Sequence, residues 1–104
     1  MEGQTFYQVV YWRDIPAQIK LRAGRERRSY SLPLRFQEAI DEAAMLSRST
    51  STDSYLEEWH TSEWQPIQGD PDQLATDLLA ALDVEYNPER LKAIVTNKGY
   101  KPVP

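Results

Sequence analysis

The 104-residue sequence contains no cysteine, one histidine and four scattered glycines. Without cysteine there is no disulfide, thiolate metal ligand or thiol nucleophile, a composition that suits a reducing cytosol. A metal site needs three or four converging ligands, and no second cluster accompanies the single histidine, His60. The glycines form no phosphate-binding loop, and no serine lies in a nucleophile elbow. The sequence therefore predicts no metal, no cofactor and no catalytic residue.

Long apolar runs are also absent. No run approaches the roughly 18 residues that a membrane span requires, and no charged start precedes an apolar segment of the signal-peptide type. We therefore expect a soluble, cytoplasmic protein. At 104 residues the chain is expected to form one domain over residues 1–104. Folding at this size buries roughly two-thirds of the unfolded surface, which is enough for one modest core.

Charge is distributed unevenly along a chain whose formal net charge is −4. Residues 1–36 contain seven basic and three acidic side chains, whereas residues 37–104 contain five basic and thirteen acidic ones. Such asymmetry occurs in proteins that bind anions with one half, and also in folds whose two halves attract each other. We favour the second, more ordinary interpretation. Because the chain as a whole is acidic, nucleic acid is not the expected partner.

Two strand patterns open the sequence. Residues 6–12 are apolar on both alternating faces, which predicts a central strand, and residues 17–23 alternate apolar and polar side chains. If the intervening "RDIP" is a four-residue loop, Trp12 lies opposite Ala17 and the apolar sides of both strands coincide. The outer face would then carry Tyr7, Tyr11, Lys20 and Arg22.

The turn itself offers two polar side chains. Asp14 is short enough to accept a hydrogen bond from the backbone of its own turn, and we expect Arg13 to point outward, away from the side that buries Trp12. No Asn-Gly or Asp-Gly pair is present, so the tightest kind of hairpin is not expected.

Three segments contain residues typical of helix starts and ends. In the first, Pro33 lies in the first turn; in the second and third, Asp70 and Asn87 are N-caps followed by proline. The third stops at Gly99, and residues 99–104 are expected to form a loose C-terminal tail. The three segments read "SLPLRFQEAIDEAAMLSR", "GDPDQLATDLLAALDVEY" and "NPERLKAIVTNKG".

A third strand is expected over residues 55–61, after a Ser/Thr-rich flexible connector at residues 47–54. The element order would be β-β-α-β-α-α, and a right-handed crossover would lay this strand parallel to the second and beside the first. The predicted fold is therefore α+β, with two layers, a three-stranded mixed sheet of order 2-1-3, and three helices.

Several motifs together resemble a known family. "YWRDIPAQI", "RFQEAIDEAAM" and "YLEEW", followed by an acidic helix that begins at a proline, are similar to the small bacterial virulence-factor domain. The resemblance covers roughly residues 6–98. That domain also occurs within the larger conserved virulence factor C proteins, where it accompanies a segment like that of iron-sulfur scaffold proteins and a helical repeat region. The resemblance implies an association with virulence and supplies no catalytic residues.

Two functional hypotheses follow. The favoured one is a non-enzymatic protein-interaction or accessory module, because Trp, Tyr and Arg are the side chains that anchor interfaces. Its contact surface would include Trp12 and Trp59, which could equally be core residues. The alternative is a domain that binds small molecules or anions through a basic loop. The candidate contact surface consists of Trp12, Arg13, Asp14, Tyr55 and Trp59, and the candidate anion site of Arg25, Arg27 and Arg28.

Overall fold

A computed structural model of the protein describes residues 4–48 and 52–102. This part of the chain forms five strands and four helices. The strands are β1 (Thr5–Trp12), β2 (Ile15–Ala23), β3 (Glu26–Ser31), β4 (Trp59–Thr61) and β5 (Gln65–Ile67). The helices are α1 (Leu34–Leu46), α2 (Thr52–Glu57), α3 (Pro71–Glu85) and α4 (Pro88–Thr96).

The strands form one sheet in which every pair is antiparallel. Its order is β3-β2-β1, and both β4 and β5 pair with the other edge of β1. β4 lies beside residues 10–12 and β5 beside residues 5–7, so the two short strands divide that edge between them. β1 is therefore flanked on both edges, which agrees with its apolar character on both faces.

The α+β class is confirmed, but the predicted three-stranded mixed sheet with three helices is wrong. β3 escapes a search for apolar alternation because its sequence "ERRSYS" is polar and lies at the sheet edge, with residues 26–29 exposed. The predicted strand over 55–61 is divided, since its first part belongs to α2 and only the last three residues pair with β1. Of the expected connector, residues 49–51 lie outside the described residues and residues 52–54 begin α2.

The first hairpin is tighter than predicted. Its loop has two residues, Arg13 and Asp14, and Trp12 lies opposite Ile15 rather than Ala17. The positive φ of 53° at Arg13 allows this short reversal without glycine. A shift of register between residues 10 and 11 then separates the turn from the rest of the ladder.

This register exchanges the two faces of β1. Tyr7 pairs with Leu21 and so shares a face with the core, contrary to the predicted outer position of the tyrosines. Phe6 and Gln8 instead share a face with Arg22 and Lys20. A slip of one residue has this effect because successive side chains of a strand point to opposite faces.

Helices cover two parts of the sheet. α3 lies on the face of Leu21, because Asp72 in its first turn contacts Arg28 and Tyr30, which share that face by register. α1 and α4 pack against the end of the sheet at the first hairpin. The main core cluster there consists of Trp12, Ile15, Leu32, Phe36, Ala39, Ile40, Ala43, Ala44, Tyr86, Leu91, Ile94 and Val95.

The helix starts follow the predicted capping for α3 and α4. The Asp70 carboxylate accepts a hydrogen bond from the Gln73 N–H at 3.1 Å, and the Asn87 side-chain carbonyl accepts one from the Arg90 N–H at 2.9 Å. In both helices proline holds the first helical position. α1 begins one residue after Pro33, which is its N-cap rather than part of its first turn.

Candidate functional site

Trp12 is fully buried, so it does not contribute to a contact surface. Its indole N–H donates to the carbonyl oxygen of Tyr55 at 2.9 Å, and its ring stacks on the Tyr55 ring with centroids 5.9 Å apart. The hydrogen bond satisfies the polar end of the indole inside the core. Of the two roles left open by the sequence, Trp12 has the core role.

Arg13 also turns inward, and its predicted outward orientation is wrong. Its side chain is 12% exposed and lies between the rings of Trp12 and Tyr100, with its guanidinium carbon 4.9 and 4.8 Å from their centroids. Its Nε donates to Glu58 Oε1 at 3.0 Å, and its Nη1 donates to the carbonyl oxygen of Lys98 at 2.6 Å. The arginine thus joins the hairpin to the segment before β4 and to the end of α4.

Asp14 is held by the C-terminal segment on both its backbone and its side chain. Its N–H donates to the carbonyl oxygen of Gly99 at 2.8 Å, and its Oδ2 accepts from the N–H of Lys101 at 2.7 Å. The predicted role of Asp14 as a cap of its own turn is therefore replaced by a longer-range contact. The segment expected to be a loose tail is held at residues 99–101, whereas residues 103 and 104 lie outside the described residues.

Gly99 shows how closely the C-terminal segment approaches the first hairpin. Its φ is 96°, and a Cβ at this position would lie 3.0 Å from both Trp12 Cζ3 and Arg13 Cδ. We call the assembly of residues 12–14, Glu58 and residues 98–101 the clasp. Trp12, Arg13 and Asp14, which the sequence offered either as part of a contact surface or as a structural turn, are thus used largely for contacts inside the molecule.

Tyr100 adds a side-chain contact to the clasp. Its hydroxyl donates to Glu58 Oε1 at 3.0 Å, the same oxygen that receives the Arg13 bond. Partial burial, together with this hydrogen bond, raises the pKa of Tyr100 above its ordinary value of 10.0. The neutral phenol is therefore the form that the clasp holds.

Tyr55 and Trp59, the remaining residues of the predicted surface, are half-buried beside the core cluster. Their rings meet edge to face with centroids 5.9 Å apart. Trp59 pairs with Trp12 across β4 and β1, and part of it lines a depression of about 460 Å³ near the start of α1. The five predicted residues are neighbours, but they form a packed joint rather than an exposed patch.

The three arginines of the predicted anion site do not converge. Arg25 lies in the turn between β2 and β3, and Arg27 and Arg28 point to opposite faces of β3. Arg28 bonds to the carboxylates of Asp72 and Glu26. Hydrogen bonds with Tyr30 and Glu26, and the charge of Asp72, raise the pKa of Arg28 above its ordinary value. Arg27, on the other face, is exposed.

A different surface emerges from the register of β1, β2 and β3. Their side chains on the face opposite α3 form three rows, which we call the open face. The rows are Phe6, Arg22 and Arg27; Gln8, Lys20 and Ser29; and Val10, Gln18 and Ser31. Sequence reasoning placed Lys20 and Arg22 together on an outer face but assigned the wrong residues of β1 beside them and missed β3, because the correct hairpin register was needed to find these partners.

The open face is positively charged. It carries Lys20, Arg22 and Arg27, whereas the one carboxylate in the described strands, Glu26, lies on the opposite face and pairs with Arg28. Acidic residues are plentiful elsewhere in the chain, so their absence from these rows creates a local cationic surface on an acidic protein.

Trp64, in the loop between β4 and β5, lies against the open face. The loop that carries it is fixed by Ser62, whose Oγ accepts from the Val9 N–H at 2.9 Å and whose carbonyl accepts from Gln8 Nε2 at 2.9 Å. The Arg22 guanidinium lies over the Trp64 ring at 4.7 Å and over the Phe6 ring at 5.0 Å. Aromatic rings and a cation are thus stacked on one face.

Below Trp64 lies a depression of about 240 Å³. Its polar lining comes from Gln8, Lys20, Arg27 and Ser29, and Trp64 supplies an apolar wall. Arg28 also borders it, but its charge is already paired. This arrangement collects hydrogen-bond donors and positive charge in a concave site, which is suited to an anionic group.

His60 stacks on Tyr11 with ring centroids 5.4 Å apart, and its Nε2 lies 2.6 Å from the Arg13 carbonyl oxygen. Burial, followed by nearby Tyr86 and Glu85, raises the pKa of Tyr11 above its ordinary value of 10.0. Within residues 4–48 and 52–102, no group of three or more potential metal ligands is found. In the same residues, no helix has the length and apolar content to cross a membrane.

Comparison with known families matches residues 10–95 to the family described as "Virulence factor". The match spans most of the chain and confirms the resemblance drawn from its motifs. No curated protein and no solved structure matches the chain.

Proposed function

The chain belongs to the virulence factor family, and we propose that it is a non-enzymatic interaction module that binds an acidic segment of a partner protein on its open face. The observation that carries the proposal is the charge of that face. Lys20, Arg22 and Arg27 share it with two aromatic rings and with no strand carboxylate. Complementary charge guides encounter and selects partners, and the half-buried rings of Phe6 and Trp64 supply apolar contact area.

The clasp supports the same choice by exclusion. Trp12 is buried, and Arg13 and Asp14 already bind other segments of the chain, so a partner would have to displace these contacts to use them. The open face requires no such displacement, because Arg27, Ser29 and Ser31 are exposed at its outer edge. A partner can therefore meet it with little reorganisation.

The test is a binding titration with a labelled peptide of glutamate, glycine and serine, followed by fluorescence anisotropy. We expect binding that weakens as salt is added, because the attraction is between partly exposed charges. The double variant Lys20→Gln/Arg27→Gln should weaken binding about tenfold, corresponding to about 1.4 kcal/mol.

A matched control carries the same loss of charge elsewhere. Lys92 and Lys98 are exposed on α4 and in the turn after it, and Lys92→Gln/Lys98→Gln should bind the peptide nearly as the wild type does. Equal weakening in both double variants would mean that only net charge matters, and the open face would not be the site. Tighter binding of a single-stranded oligonucleotide than of the peptide would overturn the assignment of a protein partner.

A further inference from the structure

The depression below Trp64 is more specific than a general cationic surface. We infer that it binds the phosphate group of a phosphorylated side chain in the partner segment. The inference rests on the proposed function, since it concerns the same face, and it names the group that the face recognises. A phosphate monoester carries a charge of about −1.5 to −2 at neutral pH and offers three strong acceptor oxygens.

The donors have the required types and positions. Gln8, Lys20 and Ser29 are paired across three neighbouring strands, so Lys20 is flanked on both sides by polar side chains. One amide N–H of Gln8 is bonded to the Ser62 carbonyl, and its second N–H can serve a ligand. Strands lie about 4.8 Å apart, which places these side chains within reach of one compact anion. Arg27 is two residues from Ser29 on the same face of β3 and adds a planar donor.

The surroundings favour a dianion over water. The Trp64 ring covers one side of the depression, and Arg22, stacked on that ring, adds a third positive charge close to the site. Arg28 at the border is paired with two carboxylates, so Lys20 and Arg27 provide the charge available to a ligand. Glu63, the acidic neighbour of Trp64 in sequence, is exposed and does not line the depression.

The size of the depression also limits the ligand. A space of about 240 Å³ accommodates a phosphate with part of its side chain, whereas sites for larger ligands are typically about 300–1,000 Å³. The depression is therefore large enough for a compact, highly charged group at the end of a side chain.

The experiment compares two peptides that differ in one side chain, a central phosphoserine or a central glutamate, in the same glutamate, glycine and serine background. Fluorescence anisotropy should show that the phosphoserine peptide binds about tenfold more tightly. Equal affinities would overturn the phosphate site while leaving the proposed acidic partner intact. Absence of binding by both peptides would overturn the proposed function as well.

Single substitutions locate the preference. Lys20→Gln and Arg27→Gln should each reduce the preference for phosphoserine severalfold, whereas Lys92→Gln should preserve it. Circular dichroism melting shows whether each variant is folded, and Arg27→Lys provides a milder change at the exposed position. A preference that survives in both folded depression variants would place the phosphate elsewhere and overturn the assignment.

Competition distinguishes a phosphorylated segment from a free phosphate compound. Inorganic phosphate and free phosphoserine should displace the labelled phosphopeptide only at concentrations far above its dissociation constant, because they lack the flanking acidic residues. Displacement by either compound at concentrations comparable to that constant would show that the ligand is a small phosphorylated molecule and would overturn the phosphorylated partner.

Discussion

Arg13 shows how one side chain can support a turn that the backbone alone does not favour. Its φ of 53° belongs to the left-handed region, which residues other than glycine, asparagine and aspartate seldom adopt. In return, its guanidinium reaches both Glu58 and the Lys98 carbonyl and lies between two aromatic rings. These contacts stabilise the turn only when the whole clasp is assembled.

The first prediction concerns this arginine. Arg13→Ala removes two charge-assisted hydrogen bonds at a site that is 12% exposed, so it should lower the free energy of unfolding by about 1–3 kcal/mol. Arg25→Ala, at an exposed position in the next hairpin turn, should stay within about 0.5 kcal/mol of the wild type. Urea unfolding at neutral pH measures both variants. Equal stability of the two would show that Arg13 is not a structural residue.

The direction of Arg13 could not be obtained from the sequence. Alternation along β1 buries Trp12 and sends the next side chain to the other face, but alternation ends where the strand ends. The position of Arg13 is decided by partners that are 45 and 85 residues away in the chain. Local pattern contains no information about contacts at that separation.

At the scale of elements, capping residues followed by proline correctly predicted the starts of two of the helices, α3 and α4. Asp70 with Pro71, and Asn87 with Pro88, mark the starts of α3 and α4 as the structure has them. These signals succeed because a cap satisfies backbone groups within its own turn. Elements without such local signals were missed: the strands β3 and β5 and the short helix α2.

The predicted strand at residues 55–61 failed for a related reason. Tyr55 and Trp59 satisfy a strand pattern and a helical spacing equally, and short apolar runs of this kind are ambiguous. Tertiary contacts settle the matter, because the Tyr55 carbonyl accepts the Trp12 indole N–H while Trp59 pairs beside β1. The composition of the open face was mispredicted because the assumed hairpin register was wrong. A slip of one residue moves Phe6 and Gln8 from one face of the sheet to the other.

Arg35 carries the second prediction, because it joins two helices. From the first turn of α1 it donates to the carbonyl oxygens of Asp83 and Tyr86 at 2.8 and 2.7 Å, and to the Asp83 carboxylate at 2.7 Å. A cation at this end of α3 satisfies carbonyls that have no partner within the helix and complements its dipole. Arg35→Ala should therefore cost about 1–3 kcal/mol of stability.

Arg90 provides the matched control, since it also bonds near the end of α3 but with longer distances of 3.3 and 3.5 Å to Glu85. Arg90→Ala should change the free energy of unfolding by about 0.5 kcal/mol or less. Urea unfolding gives both values, and hydrogen exchange should show faster opening of the last turn of α3 in Arg35→Ala alone. If Arg90→Ala proves the more destabilising, the assigned role of Arg35 is wrong.

At the scale of the whole molecule, the uneven charge of the sequence has two visible outcomes. Arg28 and Arg35, from the basic first third, pair with Asp72 and Asp83 of α3. The ion pairs themselves are partly exposed and contribute little to stability, and the larger effect expected for Arg35 comes from its bonds to the backbone carbonyls of Asp83 and Tyr86. The cations of the open face remain on the surface and give the molecule a positive side, which agrees with the proposed acidic partner. The excess of basic residues in the first part of the sequence thus supplies both the ion pairs to α3 and the cations of the open face.

We expect the clasp to give residues 99–101 a role in the stability of the whole fold. Residues 99–101 bind the Asp14 backbone and carboxylate, and Gly99 packs directly on the buried Trp12 ring.

Deleting residues 99–104 exposes that ring and removes these hydrogen bonds, so we expect the free energy of unfolding to fall by about 2–3 kcal/mol. Deleting only residues 102–104, of which Pro102 is exposed, should leave stability within about 0.5 kcal/mol. Urea unfolding of both deletions measures the difference, and an unchanged m-value would show that the shortened domain still unfolds as one cooperative unit. Should the longer deletion be as stable as the wild type, the segment would be a loose tail after all, and the clasp would contribute nothing to holding the first hairpin in place.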